Sequence, residues 1–129
     1  MPSQAKQNES ESHKEIYHIV AYHDSKNHIL AWGLEFGTPA SGRSLDEALT
    51  REVDIMASRA MECARIGVSP FGCGAPEKVA ELIIQRVTPY KTLEVKIEDD
   101  TIPPERTYTA EFRLYDKTGV QISDEEIER

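Results

Sequence analysis

Length, composition and charge exclude several classes of protein. The chain of 129 residues fits one domain, and its 39% hydrophobic content allows one core but includes no apolar run of the roughly 20 residues that span a membrane. A formal net charge of −8 disfavours nonspecific nucleic-acid binding, and two cysteines without an apolar leader predict a cytoplasmic protein with no disulfide framework.

Composition divides the chain into three regions. Residues 1–14 are polar and lack a hydrophobic period, so we expect a disordered arm, because such a stretch buries too little surface to offset its ordering entropy. Residues 15–122 form the predicted single domain. Residues 123–129 are acidic and are predicted to be a frayed tail.

A β-hairpin is predicted at the start of the domain. Apolar positions alternate over residues 16–36, and Asp24-Ser25-Lys26-Asn27 has the composition of a turn. Pairing across this turn sets Ile19 opposite Trp32. We expect the long central helix to lie against one apolar face, which holds Tyr17, Ile19, Ala21, Leu30, Trp32 and Leu34. Residues 37–42 are predicted to be a turn or a short third strand.

Two helices are predicted after the hairpin. Ser44 and Glu47 form a capping box, and apolar residues spaced three and four apart follow it, which predicts a helix over residues 45–66. A second helix is predicted over residues 76–87. Its β-branched residues leave a strand open as the alternative for residues 82–87.

Strand periodicity returns in the last third of the chain. Residues 93–97 and 107–115 alternate, residues 116–119 are predicted to form a tight turn with Gly119 at positive φ, and residues 120–122 a short return strand. The predicted order is β-β-(β)-α-α-β-β-β. Strands grouped at both ends around helices favour an α+β domain, with two helices on one face of an antiparallel sheet.

His23 and His28 are the candidate metal ligands. The predicted pairing brings them face to face beside the turn, where Asp24 could add an oxygen ligand. The alternative is a pair of exposed histidines at a hairpin tip, since a site also needs a third ligand and an outer shell. The sequence therefore predicts no metal and no other cofactor.

Cys73 is the candidate nucleophile. It lies between two glycines in the Phe71–Gly74 loop, before a predicted helix N-terminus, which is a position that can activate a thiol. Tyr90 or His18 could complete a small enzyme or ligand-binding site there, but no spacing ties a histidine to the thiol. Cys63 lies on the apolar stripe of the long helix, where a buried, inert thiol is expected.

The carboxylates are plentiful but dispersed. Those of the long helix, Glu52 among them, are assigned to a solvated face, and no phosphate-binding loop, HExxH or GxSxG motif is present. The absence of a catalytic set favours a non-enzymatic protein. Residues 91–129 hold six Lys and Arg against eleven Asp and Glu, and this acidic surplus would complement a basic partner.

A hairpin and a short turn lead into the helix entry Gly42-Arg43-Ser44-Leu45-Asp46-Glu47-Ala48-Leu49. This arrangement resembles the HicB-like antitoxin family over residues 17–66. It departs from the family at residues 35–39, where a Pro-rich turn is usual, and the second half of the chain has no counterpart there. The resemblance implies a partial ribonuclease-H-like sheet without catalytic carboxylates, in a protein that binds and masks a basic, RNA-cleaving toxin.

Three hypotheses about function remain open at this point. The first is a non-enzymatic acidic domain that binds a basic protein partner and forms a homo-oligomer. The second is a small enzyme or ligand-binding domain that uses Cys73 in the Phe71–Gly74 loop. The third is a structural or accessory protein with an unrelated fold. None of the three includes a membrane or direct nonspecific binding of nucleic acid.

Overall fold

The computed structural model describes residues 13–85 and 88–127. Most of the predicted arm, and the end of the predicted second helix at residues 86–87, lie outside the described residues. The described part is an α+β fold with a five-stranded sheet, which confirms the predicted class. None of its helices has the length and apolarity to cross a lipid bilayer.

The described chain contains five strands and three α-helices. The first three strands form a meander, two helices follow, and the last two strands flank a short 3₁₀ turn at Pro104–Arg106. In chain order the elements are β1 (Lys14–Asp24), β2 (Ile29–Gly33), β3 (Thr38–Gly42), α1 (Leu45–Ile66), α2 (Glu77–Ile84), β4 (Lys91–Ile97), β5 (Tyr108–Ile122) and α3 (Asp124–Ile127).

The sheet is mixed, so the prediction of a purely antiparallel sheet is wrong. The strand order is β3-β2-β1-β5-β4, and β1 and β5 are parallel, whereas all other neighbours are antiparallel. Parallel neighbours need a long crossover connection. Here the chain passes through α1, α2 and β4 before β5 returns beside β1 in the same direction.

The hairpin of β1 and β2 forms where it was predicted, but its register differs by one residue. Val20 pairs with Trp32 and His23 with Ile29. The reason is the length of the turn: Asp24 N–H donates to the His28 carbonyl at 3.0 Å, and Asn27 takes the left-handed conformation at φ 68°. The loop therefore has three residues and not the predicted four. Three-residue hairpin loops commonly have a left-handed residue at their last position, as Asn27 is here.

The register change moves Trp32 to the other face of the sheet. A one-residue slip exchanges the two faces of a strand. Trp32 packs with Val20 and Tyr22 against α2, whereas Ile19 and its face neighbours pack under α1. The predicted contact between Trp32 and the long helix is therefore wrong, and so is the placement of both helices on one face: α1 and α2 lie on opposite faces.

The predicted turn at residues 116–119 and the return strand at 120–122 are also wrong. β5 continues to Ile122, and only a bulge interrupts its pairing with β1, between Tyr22 and His23. The Asp116 side chain accepts hydrogen bonds from the backbone N–H and the hydroxyl of Thr118, which stabilise the bulge. Gly119 is not among the residues with positive φ.

The first helix prediction is confirmed, and the second is confirmed in part, because that helix is shorter than predicted. Helix α1 covers the predicted residues 45–66, because Ser44 Oγ accepts the Glu47 N–H at 3.1 Å and Gly67 closes the helix at φ 80°. Helix α2 runs from Glu77 to Ile84, so residues 82–84 of the alternative strand are helical, and Gln85 caps the helix.

Candidate functional site

An acidic groove lies between α2 and α3. It measures about 430 Å³ and is lined by Glu77, Lys78, Glu81 and Glu126. Helix α2 is fixed to the sheet by Val79 and Leu82, which are buried with Tyr22 and Tyr115 in the cluster on this face. These anchors turn the opposite side of α2, with its carboxylates, towards solvent.

Helix α3 forms the second wall of the groove. Ser123 begins it, since its carbonyl accepts the N–H groups of Glu126 and Ile127 at 3.1 and 3.2 Å. Ile127 packs against the same apolar cluster as α2. The acidic residues Asp124, Glu125 and Glu126 therefore remain at the surface, next to α2.

The described lining of the groove carries a net negative charge. Among these residues, three carboxylates face a single ammonium group, that of Lys78, which lies 3.8 Å from Glu81. A surface ion pair at this distance contributes little. The groove therefore presents carboxylate oxygens that can accept hydrogen bonds from a guanidinium or ammonium group of another molecule.

The Phe71–Gly74 loop is anchored by its aromatic residue. The Phe71 ring makes edge contacts with Tyr17 and Phe36, at centroid distances of 6.2 and 6.1 Å. A Cβ at Gly72 would lie 2.3 Å from the Phe36 carbonyl oxygen, so only glycine fits there. Cys73 itself is exposed to solvent.

His18 lies near this loop but is engaged elsewhere. Its Nδ1 lies 2.6 Å from Glu35 Oε2, its backbone N–H donates to Glu35 Oε1, and its ring stacks on Tyr115. The loop reaches the same region, because Gly72 N–H donates to the Glu35 carbonyl. Within the described residues no hydrogen bond joins Cys73 to His18 or to Tyr90, which is exposed.

The two candidate metal ligands do not face each other. His23 is paired with Ile29, and its Nδ1 contacts the Thr118 carbonyl oxygen at 2.5 Å, while His28 is exposed at the hairpin tip. In the described part of the chain, no group of three His, Cys, Asp or Glu side chains is placed to hold a metal ion.

A pair of shallow cavities flanks the start of β5. They measure about 270 and 200 Å³ and share His13, Pro70 and Tyr108. The hydroxyls of Tyr17 and Tyr108 lie 2.9 Å apart, and burial raises the pKa of both groups, so neither phenol ionises near neutral pH. Cys63 lines the larger cavity and is partly exposed, not buried as expected.

Glu52 is a titratable residue that the sequence placed on the wrong side of the long helix. Its side chain is fully buried, not solvated, and its carboxyl accepts a hydrogen bond from the Thr38 hydroxyl. Burial raises the pKa of Glu52 to about 8, and hydrogen bonds from Thr38 and the Gly33 backbone only partly oppose this rise. Its spacing of three from Leu49 and four from Met56 was the available signal.

Comparison with protein-family models, with curated proteins and with solved structures finds no match for this chain.

Proposed function

We propose that this chain is a non-enzymatic binding domain, similar to HicB-like antitoxins, which masks a basic protein partner in the cytoplasm. The observation that carries the proposal is the open groove between α2 and α3, whose described lining consists of Glu77, Glu81, Glu126 and Lys78. A groove of this chemistry suits arginine and lysine side chains of a second protein.

The groove combines charge with an apolar margin. Glu77, Glu81 and Ile84 are spaced four and three apart on α2, so they lie along one side of the helix. The side chain of Ile84 is 77% exposed. Arginine and lysine have long aliphatic stems, which can pack on Ile84 while their charged heads reach the carboxylates.

The charge of the whole chain favours the same kind of partner. A net charge of −8 attracts a cationic protein over a distance of about 8 Å at physiological ionic strength, and it raises the association rate. We therefore expect binding to weaken as salt is added.

The resemblance at residues 42–49 supports a more specific form of the proposal. HicB-like relatives mask basic toxins that cleave RNA, so the partner proposed here is a basic ribonuclease. The entry to α1 keeps the capping geometry that this motif encodes, with Ser44 and Glu47 hydrogen-bonded at the start of the helix.

The test compares two variants of equal net charge. The groove variant is Glu77→Lys/Glu81→Lys, and the control is Asp54→Lys/Asp100→Lys, at exposed positions on α1 and in the loop after β4. Tagged wild type, groove variant and control are purified from the native host at low salt, and bound proteins are identified by mass spectrometry.

We expect the wild type and the control to retain one basic protein whose RNA-cleaving activity they inhibit, and the groove variant to lose both binding and inhibition. Equal retention by the groove variant would contradict the assignment of the groove. Recovery of no basic protein by the wild type, at any salt concentration, would contradict the function itself.

A further inference from the structure

The sheet has two edges, and they differ in how well they are protected. At one edge β3 is only five residues long and contains Pro39, which has no N–H to donate. Arg51 also donates to the Ser41 carbonyl oxygen at 2.8 Å. Proline, a short strand and a side-chain cap are features that prevent a further strand from joining this edge.

The other edge, β4, is open. Within the described part of the chain it pairs only with β5, over seven residues from Lys91 to Ile97. Lys91, Thr92, Glu94 and Lys96 are exposed, and Leu93 and Val95 are only partly buried against the core under α1. Its outer backbone groups are therefore available to pair with a strand of another molecule.

We propose that two copies of this chain associate through antiparallel pairing of their β4 strands, around a two-fold axis at Val95. The two sheets then form one continuous ten-stranded sheet. Val95 lies opposite Val95 of the partner subunit, and Leu93 opposite Ile97 of the partner subunit, all on the face that α1 covers. This inference does not depend on the proposed function.

The charges on β4 select this register. With the axis at Val95, Glu94 lies opposite Lys96 of the partner subunit, and by symmetry this pair forms twice. Moving the axis to Glu94 would set two glutamates opposite each other, and moving it to Lys96 would oppose two lysines. A register shifted by one residue would set the polar side chains of one β4 strand opposite the apolar side chains of the other.

The individual charges are available for this pairing. The side chain of Lys96 makes no ion pair or hydrogen bond within the described part of the chain. Glu94 already binds Lys14 at 3.0 Å, but its side chain is 56% exposed and carries a second oxygen. Lysines on an edge strand normally oppose further pairing, whereas this two-fold arrangement places Lys96 opposite a carboxylate.

The first test is the dependence of mass on concentration, measured by sedimentation equilibrium. We expect wild type to form a dimer, and Glu94→Lys and Lys96→Glu each to weaken dimerisation at least about tenfold, because two attractive pairs become repulsive. An equimolar mixture of the two variants should recover the dimer, since each then faces the opposite charge. A monomeric wild type, undiminished single variants or a mixture that stays monomeric would each overturn the proposal.

The second test fixes the register by crosslinking in a Cys63→Ser/Cys73→Ser background. Val95→Cys should form an intersubunit disulfide under mild oxidation, because opposed residues in antiparallel strands have Cα atoms about 4.5–5.5 Å apart. Thr92→Cys is the control, because the proposed register separates its two copies by six residues along the strand, about 20 Å. Equal crosslinking of both variants, or none from Val95→Cys, would overturn the two-fold axis at Val95.

Discussion

The hydroxyl of Thr38 on β3 donates a hydrogen bond to the buried carboxyl of Glu52 on α1. This bond joins the long helix to the β2–β3 end of the sheet, within an otherwise apolar core. The second carboxyl oxygen, Oε1, has no partner among the described residues. A carboxyl in this setting is stable as the neutral acid, because the hydrogen bonds that it accepts only partly compensate the cost of a buried charge.

Replacing Glu52 by glutamine should flatten the pH dependence of stability. The pKa of Glu52 is about 8 in the folded chain and near 4.5 when unperturbed, so the folded state holds the extra proton between these values. The stability due to this proton is complete below about pH 4.5 and is lost as pH rises through 8, with a slope of at most about 1.4 kcal/mol per pH unit. Urea unfolding between pH 5 and pH 8 measures it.

The control for this experiment is Glu47→Gln. Glu47 is on the same helix, but hydrogen bonding to the Arg43 backbone lowers its pKa, so its contribution does not change above pH 5. Its stability profile should run parallel to that of the wild type. If the Glu52→Gln profile also ran parallel to wild type, Glu52 would be ionised in the folded protein.

A methyl group at Gly33 should disrupt the same contact. A Cβ there would lie 2.5 Å from Glu52 Oε2 and 2.5 Å from Met56 Sδ, so the buried ends of these two side chains would have to move. We expect Gly33→Ala to lower the free energy of unfolding by about 1–3 kcal/mol. Gly119→Ala is the control, because its Cβ meets nothing within 4 Å. Equal effects of the two changes on the urea midpoint would contradict the close packing.

The features that local sequence determines were predictable. Both ends of α1 follow from Ser44 and Glu47 at its start and Gly67 at its end, all of which act on neighbouring backbone groups. The register of the β1–β2 hairpin could not be predicted, because it depends on whether the turn has three or four loop residues. The left-handed backbone of Asn27 decides between these two lengths. This one residue exchanged the faces of β2 and moved Trp32 from α1 to α2.

The position of α2 and the acidic groove could not be predicted for a different reason. Which face of the sheet a helix covers depends on contacts between residues distant in sequence, such as Val79 with Tyr22. Glu126 meets Glu77 and Glu81 only because β5 runs on to Ile122 and does not turn back. Val20 and Tyr22 alternate with Ile19 and Ala21 in the sequence, and these apolar residues on the second face of β1 were the one local sign that this face is also covered.

Removing the Asp24 side chain should destabilise the hairpin register. Asp24 Oδ1 accepts the backbone N–H groups of Lys26 at 3.0 Å and His28 at 2.8 Å, which fixes the three-residue turn. We expect Asp24→Ala to lower the free energy of unfolding by about 1–3 kcal/mol. Asn27→Gly should have little effect, because glycine adopts the same positive φ. An Asp24→Ala variant as stable as Asn27→Gly, by urea unfolding, would show that the side chain does not hold the turn.

The reactivity of Cys73 separates the binding hypothesis from the enzyme hypothesis. Cys73 is exposed, and among the described residues no hydrogen bond joins its thiol to His18, whose Nδ1 lies 2.6 Å from Glu35 Oε2. We expect Cys73, in a Cys63→Ser background, to react with iodoacetamide at the rate of an unfolded control peptide, and His18→Asn to leave this rate unchanged. A rate more than about tenfold above the peptide, abolished by His18→Asn, would instead indicate a cysteine–histidine pair and favour the enzyme.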